Sequence, residues 1–249
     1  MRGTGSLVLL RHGESTANAA QEFTGLLDVE LTYLGAQQAR AAARLLAASD
    51  CVPDLVLTSP LRRARQTAQD VLAELGLDVS VLELWRLEER DYGVLTGVGK
   101  RRAWEKYGPD RFVEWRRTLN GRPPAASPGQ IASWNLVSTR PPDLRAPGSG
   151  ESLQDVVDRV RPCWENDIRP RLREGHRALV VAHGNSLRAL CAVIDGLDDV
   201  ELASLNLPPG QPLRYDVGPD GGLLPRAGRF LDAVAAEAAA STIASEGGT

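Results

Sequence analysis

The sequence predicts a mainly parallel, doubly wound α/β sheet with helices on both faces. Short, near-continuous apolar runs at Leu7–Leu10, Leu55–Leu57 and Ala178–Ala182 have the length and composition of strands buried on both sides. Segments of helical periodicity separate them, as parallel strands require. One of these runs ends in Arg11-His12-Gly13 and another directly in His183-Gly184. That places imidazoles at strand ends, where open α/β sheets bind their ligands.

Each element follows from local pattern. After the first strand a polar loop runs through Thr24 and Gly25. A helix is predicted over Thr32–Ala48, with Thr32 as N-cap and Ala36, Ala39, Ala43 and Leu46 as its apolar stripe. Leu55–Leu57 ends in Thr58-Ser59-Pro60, and the next helix, Leu61–Leu75, stops at Gly76. Val79–Leu82 reads as a third strand. Residues from Leu84 to about Leu119 are charged and aromatic and suit irregular structure plus helices. Asn120–Gly150 is rich in Pro, Gly and Ser and reads as one long loop, of the kind that is functional or disordered. Together 84–150 forms an insertion or lid on a single domain spanning 1–249.

Helical periodicity resumes over Glu151–Arg173, with Leu153, Val156, Val157 and Val160 on one face. Pro162 inside it predicts a kink or break. The strand Ala178–Ala182 leads into a helix over Ser186–Ile194. The Ala-rich tail from Phe230 suits a flexible helix that helps to close the site, and Ser241–Thr249 reads as disordered.

Composition narrows the function classes. A chain of 249 residues with 43% apolar and 24% charged residues can bury a large core beneath an ordinary solvated surface. Its formal net charge of -3 supplies no global field for nucleic acid or an anionic membrane. No apolar run approaches the roughly 20 residues that span a bilayer. Met1–Ser6 leads straight into the first strand without a signal-type region, so a cytoplasmic location is expected. Cys51, Cys163 and Cys191 are scattered and odd in number, which suits small apolar fillers in a reducing compartment.

The chemistry-bearing residues cluster in a few motifs. His12 is preceded by Arg11 and followed by Gly13, Glu14 and Ser15; His183 is followed by Gly184, Asn185 and Ser186. A neutral imidazole can attack phosphorus while an adjacent guanidinium holds the oxygens, and the glycines let backbone approach a ligand. Arg62, Arg63 and Arg65 open a helix, where the dipole disfavours cations unless an anion is near. Arg63 fits that role, with Arg62 and Arg65 turned to water. In Glu88-Glu89-Arg90-Asp91-Tyr92 a carboxyl beside phosphate oxygens can carry a proton to or from a hydroxyl, although such crowded charges also pair on surfaces. Lys100, Arg116 and Arg117 add cations near the lid. Gly93–Lys100 misses the phosphate-loop pattern at Val94 and Arg101, the histidines lack zinc-site spacing, and there is no Gly-x-Ser-x-Gly elbow.

These residues resemble the signature of the histidine phosphatase superfamily. Within it the chain is similar to the cofactor-dependent phosphoglycerate mutases, those dependent on 2,3-bisphosphoglycerate. The resemblance runs through Leu10–Ser15, Phe23-Thr24-Gly25, Thr58-Ser59, Arg63-Ala64, Trp85–Leu87, Glu89-Arg90, Tyr92-Gly93, Lys100, Trp115–Arg117, Glu151–Leu153, Ala182–Leu190 and Leu205–Pro208. It implies a histidine phosphatase-like fold and interconversion of 3- and 2-phosphoglycerate. His12 would take up the phosphoryl group among Arg11, Arg63 and His183, and Glu89 would carry the proton. Asn18, Thr24, Gly25, Arg90, Tyr92, Lys100, Arg116, Arg117, Gly184 and Asn185 would hold the substrate. 2,3-bisphosphoglycerate would be the priming phosphoryl donor, without a metal, in a homodimer or homotetramer.

The chain departs from the family pattern at Ala17 and Leu26, where tryptophans are expected. It departs also at Glu88 and Asp91, where the pattern has Asn and His, and along Asn120–Gly150. Those departures leave open a phosphatase or specialised mutase acting on another phosphorylated metabolite. A non-catalytic phosphoester-binding module is the third alternative.

Overall fold

The computed structural model describes residues 5–137, 140–141 and 144–245. Strand β1 (Ser6–Arg11) is followed by the one-turn helix α1 (Thr16–Ala19) and then α2 (Tyr33–Ala48). Strand β2 (Leu55–Thr58), helix α3 (Arg62–Leu75) and strand β3 (Val81–Glu83) complete the first half. Helices α4 (Lys100–Tyr107), α5 (Pro109–Arg117) and α6 (Pro128–Ala132) lie in the insertion. Next come α7 (Leu153–Pro162), α8 (Arg169–Arg173), β4 (Arg177–Ala182), α9 (Gly184–Asp195) and α10 (Asp199–Ser204). Strands β5 (Leu213–Val217) and β6 (Leu223–Phe230) and helix α11 (Ala233–Ser245) end the described chain.

The strands form one sheet in the order β3-β2-β4-β1-β5-β6. The first four run parallel, and β5 and β6 add an antiparallel edge. Alternation along β1 explains the two layers. Leu7 and Leu9 pack with α7 and α9 residues such as Val156, Val160, Leu187 and Leu190. Val8 and Leu10 pack with Ala39, Ala43 and Leu46 of α2 and Ala64, Ala68 and Val71 of α3. Successive side chains of a strand point to opposite faces, so a strand covered on both sides must be apolar throughout.

The local signals act largely as expected. Thr32 Oγ1 accepts the Gly35 N–H at 3.0 Å and caps α2, and Gly76 ends α3 in the left-handed conformation. Beyond Pro162 the α-helical ladder gives way to a π-helical stretch, Cys163–Ile168, before α8. Cys51, Cys163 and Cys191 are buried and free, and burial pushes the Cys163 and Cys191 thiols up to about 12. No helix among the described residues is long and apolar enough to cross a membrane.

Other expectations change. Residues 120–150 are not a structureless loop. They contain α6, a bridge from Leu136 to Leu27, and backbone ties from Val94 N to Pro124 O and from Ala126 N to Gly148 O. The expected disorder from Ser241 gives way to helix as far as Ser245. Met1–Thr4 and 246–249 lie outside the described residues, as do parts of the expected loop at 138–139 and 142–143. Helix α9 starts at Gly184, earlier than Ser186, which makes His183 its N-cap residue.

Candidate active site

Strand register brings the two histidines together. β1 and β4 are neighbours with Arg11 opposite Ala182, and His12 N donates to Ala182 O at 3.0 Å. Each strand is followed at once by its histidine, so the rings meet edge to face with centroids 5.0 Å apart. His12 is 3% exposed and His183 fully buried.

The hydrogen bonds of His12 fix its tautomer. Nδ1 lies 2.6 Å from the Gly13 carbonyl, which only accepts, so Nδ1 carries the proton. Nε2 accepts from Arg63 Nε at 3.2 Å and therefore bears the lone pair. Burial first, then the Arg63 and Arg11 guanidiniums, hold the ring well below the ordinary imidazole value. Burial also lowers His183, followed by the charge of Arg63. Neither ring nitrogen of His183 has a hydrogen-bond partner among the described residues. Two neutral imidazoles thus face each other beside fixed cations.

Arg63 organises the floor of the site. It is 1% exposed, and beyond His12 it donates to Leu27 O at 2.8 Å and Gly25 O at 2.9 Å. Burial lowers it to about 10, which keeps it charged near neutrality. Thr67 Oγ1 bonds back to Arg63 O and accepts from Gly13 N, clasping α3 to the loop after β1. Arg62 and Arg65 turn outward to Asp28 and Glu30 and to Glu83, so only Arg63 of the triplet reaches the centre. Gly13 serves packing more directly than a ligand: a Cβ there would sit 2.2 Å from Gly35 O of α2.

A narrow cavity of about 40 Å³ opens above His12 and Arg63. Arg11, Asn18, Thr24, Gly25, Glu89, Tyr92, Lys100 and Arg116, all marked by the family resemblance, line it together with Glu22 and Phe23. Arg11 also donates to Leu207 O at 3.0 Å. Asn18 Oδ1 completes a capping box with Ser15 at the start of α1. Gly25 has φ +53, a left-handed conformation that favours glycine. Arg116 is 1% exposed and lies over the Phe23 and Phe112 rings.

Glu89 and Tyr92 are held from below by Asn185. Its Nδ2 donates to Glu89 Oε1 at 3.1 Å and to the Tyr92 hydroxyl oxygen at 2.8 Å. Glu89 Oε1 also accepts the Arg90 N–H at 2.7 Å. Burial, then the Glu89 charge, raises the Tyr92 phenol. Arg188, buried one helical turn after Asn185, donates to Asn185 Oδ1 at 3.1 Å and to Leu202 O. The sequence reading does not single it out; its signal is the i, i+3 spacing on α9.

Four expected substrate contacts lie elsewhere. Arg90 does not line the cavity; it is fully buried and donates to the carbonyls of Glu151 at 2.7 Å and Gly121 at 2.6 Å. Arg117 faces a separate cavity, where it meets Ala203 O and Asn206. Gly184 is buried as the first residue of α9, and Asn185 hydrogen-bonds Glu89 and Tyr92. The tail helix places Ala244 beside Arg117, away from the His12 cavity. Glu88 and Asp91, expected either to face substrate or to be exposed, do neither. Both are buried against the 120–150 segment and its flank.

Known proteins resemble this chain in sequence and in fold. The sequence profile of the histidine phosphatase superfamily (branch 1) matches residues 7–140 and 129–228. The chain is 41% identical to a 2,3-bisphosphoglycerate-dependent phosphoglycerate mutase of Corynebacterium efficiens, with 98% of each chain covered. A protein of the same name from Rhodococcus opacus is 43% identical, again over 98% of each. Among solved structures, a mycobacterial glucosyl-3-phosphoglycerate phosphatase is similar at 28% identity and TM-score 0.63, covering 85% of this chain and 92% of that one. The alpha-ribazole phosphatase of Shigella flexneri shares the fold at 23% identity and TM-score 0.63, covering 88% and 93%. The chain is an enzyme of the histidine phosphatase superfamily and belongs, within it, to the family of the 2,3-bisphosphoglycerate-dependent phosphoglycerate mutases.

Proposed function

We propose that the protein interconverts 3-phosphoglycerate and 2-phosphoglycerate by passing a phosphoryl group through His12. The observation that carries this reading is the neutral His12 ring with its lone pair at Nε2, beside Arg63 and in one cavity with the Glu89 carboxyl. Nε2 bonds to phosphorus as the phosphorus–oxygen ester bond breaks, and the departing oxygen takes a proton from Glu89. This follows a first transfer in which the free hydroxyl of the bound phosphoglycerate attacks the phosphorus of phospho-His12, the nitrogen–phosphorus bond breaks and Glu89 takes the hydroxyl's proton; Nε2 then takes back the other phosphoryl group. Arg63 Nε–H turns from the ring nitrogen to a phosphoryl oxygen, where it and Arg11 stabilise the transferring charge.

The donor set fits a polyanionic priming donor. Arg11, Arg63, Arg116 and Lys100 line the cavity, and His183, whose buried ring nitrogens have no hydrogen-bond partner among the described residues, packs against His12. These residues would hold 2,3-bisphosphoglycerate, which when bound supplies the phosphoryl group that primes His12. The relatives that share 41–43% of residues over 98% of the chain carry the mutase name and support this assignment.

A second reading, a phosphatase for another small phosphoester, draws on specific observations. Arg90 and Arg117 lie outside the cavity while the carboxylate-bearing Glu22 lines it, and a solved structural relative is a phosphatase. There water, activated by Glu89, would take the phosphoryl group. Incubating the enzyme with 3-phosphoglycerate and a trace of 2,3-bisphosphoglycerate separates the two. The mutase produces 2-phosphoglycerate without comparable free phosphate; phosphate release alone, or turnover confined to other phosphoesters, contradicts it.

A further inference from the structure

The two charges that depart from the family pattern, Glu88 and Asp91, flank the Glu89 segment and both bind the chain between 120 and 150. Glu88 is fully buried, and its Oε2 accepts from Arg140 Nε at 2.7 Å. Asp91 accepts from Gly148 N at 2.8 Å and Gly150 N at 3.2 Å. Arg140 also reaches Glu151 through Nη1 and Nη2 at 3.2 and 3.4 Å, and the Glu89 carbonyl at 3.4 Å. Arg159, from α7, donates to the carbonyls of Arg86, Glu88 and Glu89 and to Glu151. Glu151 Oε2 in turn accepts the Asp91 N–H at 2.8 Å.

The backbone on both sides of Glu89 is therefore gripped by a buried charge cluster. One of its cations belongs to the insertion. Arg140 is not among the residues that line the His12 cavity, and it meets Glu89 at the backbone carbonyl. Its fork bonds the side chain of the preceding residue and the carbonyl of Glu89 itself, geometry that a Lys point charge does not reproduce.

We infer that Arg140 is a positioning residue through which the 120–150 segment sets the Glu89 carboxyl for proton transfer. The inference rests on Glu89 as the proton carrier. Loss of Arg140 leaves Glu88 without this buried partner, next in sequence to the carboxyl whose placement matters, while Arg159 still holds the backbone. A displacement of about 1 Å in a catalytic group costs on the order of 100-fold in rate.

The test uses leaving groups. An alkyl phosphate such as 3-phosphoglycerate needs a proton on its departing oxygen, whereas the nitrophenolate of p-nitrophenyl phosphate departs without one. Arg140→Met is expected to lower kcat on 3-phosphoglycerate about 10- to 100-fold with KM little changed. Its first-turnover rate of nitrophenol release, before the phosphohistidine is hydrolysed, should stay within about twofold of the unaltered enzyme. Because a single substitution takes the Arg140 ion pair from buried Glu88, the double variant Glu88→Gln with Arg140→Met removes both charges and should show the same discrimination. Glu89→Gln, run alongside, should show it more strongly. Equal losses on both substrates, or none, in the Arg140 variants while Glu89→Gln discriminates overturn the role of Arg140 alone. Absence of discrimination in Glu89→Gln overturns the reading of Glu89 and the inference with it.

Discussion

Arg63 Nε donates to His12 Nε2 at 3.2 Å, and the same guanidinium grips the carbonyls of Gly25 and Leu27. One side chain thereby identifies the lone-pair nitrogen and holds the turn that forms the cavity wall. Arg63→Met should lower kcat on the order of 100- to 1000-fold, the usual loss for a preorganised charge-stabilising donor. Arg63→Lys should not restore it, because an ammonium cannot serve three diverging acceptors from a planar fork. Steady-state rates for the two variants check this; recovery by lysine would show that charge alone suffices.

His12 and His183 are held neutral by burial and by neighbouring arginines. A depressed imidazole value means the folded enzyme resists protonation as pH falls through the ordinary value near 6.5. The acid limb of kcat/KM from His12 protonation should therefore lie below 6.5, with no imidazole-dependent loss between pH 8 and about 6.5. A pH–rate profile whose acid limb sits at or above that value would argue against a desolvated nucleophile.

Arg188 secures Asn185, which holds Glu89 and Tyr92. Burial lowers its guanidinium to about 10, leaving it charged at neutral pH. Arg188→Met keeps much of the volume but frees Asn185 to rotate. A kcat loss of about 10- to 100-fold is expected, with KM changed far less because Arg188 is remote from the cavity. Separate determination of kcat and KM checks the split.

Glu151 is the anion at the centre of the Arg140–Arg159 cluster. Burial alone would raise its carboxyl, but Arg159 and Arg140 outweigh burial and hold it at about 2. A depressed carboxylate contributes stability above its unfolded value of 4.5 and loses it as pH falls toward 2. The contribution is on the order of 3 kcal/mol. Urea unfolding across that window should show Glu151→Gln with a shallower fall in stability than the unaltered protein. Parallel pH curves would remove Glu151 as the titrating group.

Much of this architecture is legible because its signals are local. The Leu7–Leu10 and Ala178–Ala182 runs, the Thr32 cap and the Gly76 stop each depend on a few neighbouring residues. The pairing of His12 with His183 follows once the two strands adjoin. Long-range partners are harder. The carbonyls that claim Arg90 belong to Gly121 and Glu151, and the cation that neutralises Glu88 comes from 52 residues away. A Pro- and Gly-rich composition conceals the order of the 120–150 segment, because its stability comes from buried ion pairs and carbonyl bonds. β5 and β6 are likewise hard to read: the mostly exposed Leu223–Phe230 lacks the continuous apolar run of a central strand.

The most direct test follows the phosphoryl group itself. His12 is labelled with radioactive phosphate from 2,3-bisphosphoglycerate, freed of excess donor and chased with 3-phosphoglycerate. His12→Ala serves as the unlabelled control. Transfer of the label to phosphoglycerates, with little inorganic phosphate, is the predicted result. Label on another residue, or its release as inorganic phosphate while phosphoglycerate is present, would contradict the account.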